Sequence, residues 1–175
     1  MSNFIPSAQP KILSELEEFF VCHGTNYWSY LPERGVEDQL QRLKIQTDGC
    51  FIATEQGEII DMAVYRSKGD IPCFFSHSFD RCQSIYVAEV VVHQEHNGKG
   101  IGSSLIARIP NTARELGASS LMVDRHEQNP SSAGMIRKAG FVELDCFPDP
   151  TRRSSGSKKT TTLCLHLKQQ MTNYE

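Results

Sequence analysis

The 175-residue chain is 39% apolar and 22% charged, with a formal net charge of −3, the profile of an ordinary globular protein long enough to build a substantial core. That slight acidity argues against general attraction to nucleic acid or to an anionic membrane. No apolar run approaches the roughly 20 residues of a membrane span, and the opening stretch MSNFIPSAQPK lacks the charged and apolar regions of a secretory signal.

Six scattered cysteines without a CxxC pair read as reduced core thiols, so a cytoplasmic chain is expected. From Pro10 to His23, Ile12, Leu13, Leu16, Phe19 and Phe20 recur at helical spacing, and Gly24 can end the helix. The stretch TNYWSYLPE is aromatic and irregular, a lid or a packed loop. Val36, Leu40 and Leu43 then mark a second helix near Glu33–Leu43. Cys50–Thr54 and Glu58–Arg66 are rich in β-formers, and Gln56-Gly57 between them reads as a hairpin turn.

After a polar and aromatic connection, SIYVAEVVVH (Ser84–His93) is apolar enough to be a strand covered on both faces. A helix is expected from about Gly100 to Leu116, kinked at Pro110, which removes one hydrogen bond. SSLMVDR (Ser119–Arg125) is a further strand. Asn129-Pro130 starts a short helix with Asn129 as N-cap, and Gly140 closes it. FVELDCF and TTTLCLHL are two closing strands, joined by PDPTRRSSGSKK, whose run RRSSGSKK reads as a solvated hairpin loop or as a contact for an acidic group of a cofactor or acceptor. This order describes one α/β unit over residues 1–175.

Between the buried strand and its helix lies HNGKGIGSSL. Glycines there let an anion approach the backbone closely, and donors at a helix start favour a phosphate. Lys99 adds positive charge, and Ser103 and Ser104 add hydroxyls. The alternative is a tight turn with glycines for packing. The spacing is GxGxG, so it fits neither the P-loop GxxxxGK[ST] nor the dinucleotide GxGxxG.

Residues VAEVVVHQEHNGKGIGSSLIARIPNTARELGASSLMVD, followed by NPSSAGMIRKAGF, resemble the GNAT superfamily of acyl-CoA N-acetyltransferases. The family's [QR]xxGx[GA] segment aligns with Asn97–Gly102, with Asn97 where Gln or Arg is usual. Asn129, Pro130, Gly140 and Phe141 match the later signature. Asp61 stands where a glycine is common in the family. The resemblance implies a mixed central sheet flanked by helices, with parallel strands splayed apart around residues 85–92 and 119–124. The pantetheine arm of acetyl-CoA would enter there and bond the backbone of Val90, Val91 and Val92. The pyrophosphate would lie on the loop Asn97, Gly98, Lys99, Gly100, Ile101, Gly102 and Ser103, with Asn129 beside the arm.

The reaction so implied is attack of a neutral amine on the thioester. It needs a base, since a lysine-type amine has a pKa of about 10.4, and a donor for the oxyanion. Glu89 is the first candidate base, with His126 and Glu127 second. The Val92 N–H is the candidate oxyanion donor. Many family members place a tyrosine acid where this chain has Ile136, which leaves Ser131, Ser132, a water or unassisted thiolate departure. HQEH is not HExxH, so no metal is expected. Tyr27, Trp28 and Tyr30 wall a substrate pocket or pack the loop.

The expected activity is transfer of an acetyl group to a primary amine of a small molecule or amino acid. The alternatives are a peptide or protein amine acceptor, a non-catalytic acyl-CoA-binding module, and a nucleotide-binding domain. A homodimer stands open.

Overall fold

A computed structural model describes residues 2–4, 10–29, 32–75 and 80–168. Tyr30 therefore lies outside the described residues. The elements, in chain order, are β1 (Ser2–Phe4), α1 (Pro10–His23), α2 (Glu33–Lys44), β2 (Asp48–Glu55), β3 (Glu58–Arg66), β4 (Ser84–Val92), α3 (Ile101–Ile106), α4 (Ile109–Glu115), β5 (Ser120–His126), α5 (Pro130–Lys138), β6 (Val142–Pro148) and β7 (Lys159–His166). Single 3-10 turns at Arg81–Gln83 and Gln94–His96 flank β4.

The strands form one mixed sheet in the order β1-β2-β3-β4-β5-β7-β6. β4 and β5 run parallel, and every other pairing is antiparallel. The hairpin β2–β3 turns at Gln56 (φ 53°) and Gly57 (φ 91°), the pair of positive dihedrals that matches the twist of the flanking strands.

Helices cover both faces. On one, Leu16, Phe19 and Phe20 of α1 and Val36 and Leu43 of α2 pack against Ile52, Met62, Val64 and Val91. Phe20 is only 1% exposed, and burial of such a side chain stabilises the fold by roughly 1.5–3 kcal/mol. On the other face, Leu105, Ile106, Ile109 and Ile136 pack against Ile85, Val87, Leu121 and Val123.

Two sequence expectations need correction. The helix expected over Gly100–Leu116 is two helices, α3 and α4, separated at Ala107–Arg108. Pro110 sits in the first turn of α4, where an intrahelical partner for its missing N–H is not required. It starts a helix instead of kinking one. The strand β1 was not expected. It pairs Ser2 with Ala53 and Phe4 with Phe51 at the sheet edge.

Candidate active site

β4 and β5 pair only from Ser84↔Ser120 to Val87↔Val123. The Ser84 and Ser120 hydroxyls bond each other at 2.6 Å at the closed end of this short ladder. Beyond Val87 the two strands separate. A cause lies on the opposite edge of β4, where Tyr65 pairs with Val87 but Val64 pairs with Glu89. Ala88 is thus an extra residue, a bulge that bends the strand and disrupts its ladder. The β5-facing edge of residues 88–92 has no strand partner among the described residues.

A cleft of about 820 Å³ occupies this gap. Glu89, Val90, Val91, Val92, Asn97, Gly98, Gly100, Ile101, Gly102, Ser103 and Asn129 all line it. Lys99 is exposed and is not part of the lining.

The loop at the cleft mouth has separate reasons for its glycines. Gly98 (φ 78°) and Gly100 (φ 80°) adopt the left-handed conformation that side chains resist. Gly102 faces a close approach instead. A Cβ there would stand 3.1 Å from both Met135 Sδ and Val92 Cγ2. Among the described residues, the N–H groups of Gly98, Gly100, Ile101, Gly102 and Ser103 donate to no backbone carbonyl. Those of α3 are the orphan donors of a helix start. Asn129 caps α5 by accepting the Ser132 N–H at 3.1 Å.

Glu89 belongs to the cleft wall. Burial, with the neighbouring Asp124 carboxylate adding to it and Arg153, Arg66 and Arg152 opposing, raises its carboxyl to about 7. Asp124 gathers a network the sequence reading missed. Its Oδ1 accepts from Tyr86 Oη at 2.5 Å, and its Oδ2 accepts from Arg152 at 2.7 Å and Arg153 at 2.5 Å. Arg152 also donates to Asp149 at 2.7 Å and lies 3.8 Å over the Phe74 ring. Burial first, and Asp124 second, push the Tyr86 phenol well above its ordinary value. The segment RRSSGSKK is therefore not simply a solvated loop: Arg152 and Arg153 fold back to line the cleft. The signals in the sequence were the basic run itself, readable as a contact for an acidic group, and an aspartate following the apolar stretch of β5.

The same loop meets the α1–α2 connection. Ser155 donates to the Tyr27 carbonyl at 2.5 Å, and Trp28 packs 4.9 Å from the His126 ring. Trp28 lines the cleft, whereas Tyr27 is exposed. His126 is 1% exposed. Its Nδ1 accepts from Gln128 N–H at 3.0 Å, so Nε2 carries the hydrogen that reaches the Ser155 carbonyl at 3.0 Å. Both ring nitrogens are thus committed to hydrogen bonds within the protein. Ile136, 1% exposed, also lines the cleft, as do Ser131 and Ser132.

Of the paired histidines in HQEH, His93 packs with its ring tilted against His23 at 4.1 Å, and His96 lies 3.6 Å from Glu55. No three His, Cys, Asp or Glu among the described residues gather as metal ligands. Beneath the glycine loop Asp61 is fully buried, and neither carboxyl oxygen has a partner among the described residues. Burial pushes it up to about 8.

Residues 11–141 match the acetyltransferase (GNAT) family. An 84-residue stretch is 34% identical to the L-amino acid N-acyltransferase MnaT of Escherichia coli (strain K12), covering 48% of this chain and 46% of that protein. The chain thus spans about half the length of this curated relative. The structure is similar to that of yncA from Salmonella typhimurium, solved with its cofactor acetyl-CoA, at a TM-score of 0.73 and 19% identity over 97% of this chain and 95% of that one. It is also similar to the ribosomal-protein-S18-alanine N-acetyltransferase of Escherichia coli, at a TM-score of 0.71 and 12% identity over 100% and 99% of the two chains. At these identities the structural likeness is one of fold. The matched family, the open strand pair and the glycine loop agree: the chain belongs to the acetyltransferase (GNAT) family.

Proposed function

We propose that the chain, as one catalytic unit over residues 1–175, transfers an acetyl group from acetyl-CoA to the primary amine of a small molecule or amino acid. The observation that carries this reading is the parallel pairing of β4 and β5 that stops at Val87↔Val123 and leaves a lined cleft beyond it. An extended amide-bearing arm suits such an edge, because it supplies the hydrogen bonds of a missing strand. Backbone groups of Val90, Val91 and Val92 hold the arm. The unpaired N–H groups from Gly98 to Ser103 take the pyrophosphate. Asn129, whose carbonyl oxygen is used in capping, keeps its amide N–H groups for the arm.

Acetyl-CoA supplies the activated acyl group as a thioester. Glu89, with a carboxyl near 7, is largely ionised just above neutrality and still basic enough to accept the ammonium proton, directly or through one water. The Val92 N–H donates to the oxyanion as it develops. Ser131 or Ser132 donates a hydrogen bond to the leaving thiolate, which takes its proton from solvent or departs unaided, since an alkyl thiol has a pKa of about 8.5. The amino-acid acceptor follows the name of the relative MnaT.

A turnover assay that detects free CoA thiol, run over a panel of amines, tests the proposal. Amine-dependent thiol release is the expected result. Acetyl-CoA binding without thiol release for any amine would instead support a non-catalytic acyl-CoA-binding module, the reading that the apolar Ile136 favours.

A further inference from the structure

Arg152 and Arg153 line the cleft from the segment joining β6 to β7. Both are held from behind. Arg152 commits Nε to Asp149 and Nη2 to Asp124 and Thr160. Arg153 commits Nε to Thr160 and Nη2 to Asp124. Asp124 is itself fixed by Tyr86, and Thr160 by its own bond to Asp149. The Nη1 groups of both arginines are left without partners among the described residues, and neither is a buried orphan. Two anchored guanidinium groups thus line the cleft, each with an Nη1 that has no partner among the described residues. Arginine in this state is preorganised for a carboxylate, because the fork is already oriented and little side-chain entropy remains to be lost.

The opposite charge stands in the same cleft. Glu89 lines it and feels Arg153 and Arg152 electrostatically. Arg152 and Arg153 balance Asp124 and Asp149, so the cluster is neutral before any acceptor enters. A zwitterion adds no net charge, and each of its ends finds a complementary group. An amine without an acid group leaves the guanidinium donors unmet. The bond from Ser155 to the Tyr27 carbonyl and the packing of Gly156 against Trp28, 3.3 Å from the place a Cβ would occupy, join the two loops at this end. That closure suits a small molecule better than a continuing polypeptide.

We propose that Arg152 and Arg153 bind the carboxylate of a free α-amino acid while its amino group faces Glu89, which makes the pair the specificity determinant for the acceptor. This inference rests on the acetyltransferase reading given above.

The test compares three acceptors that share one side chain: the free amino acid, its C-terminal amide and its decarboxylated amine. For the unaltered protein, kcat/KM should favour the free acid by about 10²-fold or more, as expected where a site built for a charged partner meets an analogue lacking it. Losing either arginine also removes a charge that holds Glu89 down, so Arg153→Gln and Arg152→Gln are compared at pH 9, above the Glu89 limb. There KM for the free acid should rise about 10- to 100-fold, while kcat/KM for the decarboxylated amine should fall far less, and circular dichroism reports that each variant is folded. Arg153→Lys should restore part of the lost affinity. Equal use of acid, amide and amine by the unaltered protein overturns the inference while leaving the acetyltransferase reading intact. So does preference for a peptide with a free N-terminus, or equal loss on acid and amine in both variants. Release of no CoA thiol with any acceptor overturns the acetyltransferase reading, and the inference with it.

Discussion

Glu89, as the proposed base, carries a chemical demand that its titration can report. A carboxyl near 7 loses its ability to accept a proton as pH falls through that value, so kcat/KM should show an acid limb close to neutrality. Glu89→Gln should lower kcat by about 10²- to 10⁴-fold, the range of general-base contributions, with acetyl-CoA affinity unchanged. A pH–rate profile of the variant checks this. If the acid limb persists unaltered in the glutamine form, another group is the base. Asp61 makes a different demand, on stability. Its folded-state carboxyl is raised to about 8, against about 3.9 when unfolded. The folded protein keeps a proton that the unfolded chain releases, so stability should fall as pH climbs from about 4 to about 8. At about 1.4 kcal/mol per unit, the loss over that window is on the order of 5 kcal/mol. Urea midpoints at pH 5 and pH 8 should differ for the natural chain and differ clearly less for Asp61→Asn, the remainder coming from the raised carboxyl of Glu89. Identical slopes for both would mean that Asp61 is not the source.

Among the elements, the loop from β4 to α3 is the most constrained by sequence. Gly100 has positive φ and open space where a Cβ would be, so a substitution there strains the turn without any clash inside the protein. Gly100→Asp adds a negative charge where the pyrophosphate is proposed to lie. It should abolish acetyl-CoA binding, measured by calorimetry, while thermal unfolding of the free protein shifts by only a few degrees. Retained affinity would remove the loop from the cofactor site. This element was readable in the sequence because glycine spacing reports backbone conformation directly. So was α5, announced by an Asn-Pro start and a glycine stop. The break between α3 and α4 was misread, since a proline near the middle of an apolar repeat fits a kink as well as a fresh first turn. Arg152, Arg153 and Asp124 were not readable as a unit. Their association depends on β7 pairing with β5, through Asp124↔Thr162 and His126↔Thr160. That contact joins residues more than 30 positions apart and leaves no local period. Strand β1 was missed because three residues are too few to show one.

For the molecule as a whole, the cleft couples ligand to stability, because its walls come from both sides of the gap in the sheet. A ligand that binds only the folded chain stabilises it by about 2.7 kcal/mol at 100 times its Kd. For a chain of this length each kcal/mol moves Tm by about 2–4 °C. Saturating acetyl-CoA should therefore raise Tm by about 5–11 °C, read by scanning fluorimetry. ATP and NAD should produce much smaller shifts. A larger response to either nucleotide would reassign the site.

The surplus residue Ala88 has a consequence for the geometry of the chemistry. In an unbroken strand, positions three apart look to opposite sides. Here Tyr86 packs with Phe75 and Met122, while Val91 packs with the α1–α2 layer, and Ala88 touches both groups. One inserted residue thus reverses the alternation midway along β4 and brings Tyr86 and Glu89 onto a common side. Glu89, the proposed proton acceptor, and the tyrosine that anchors Asp124 are neighbours because the strand counts one more residue than its partner.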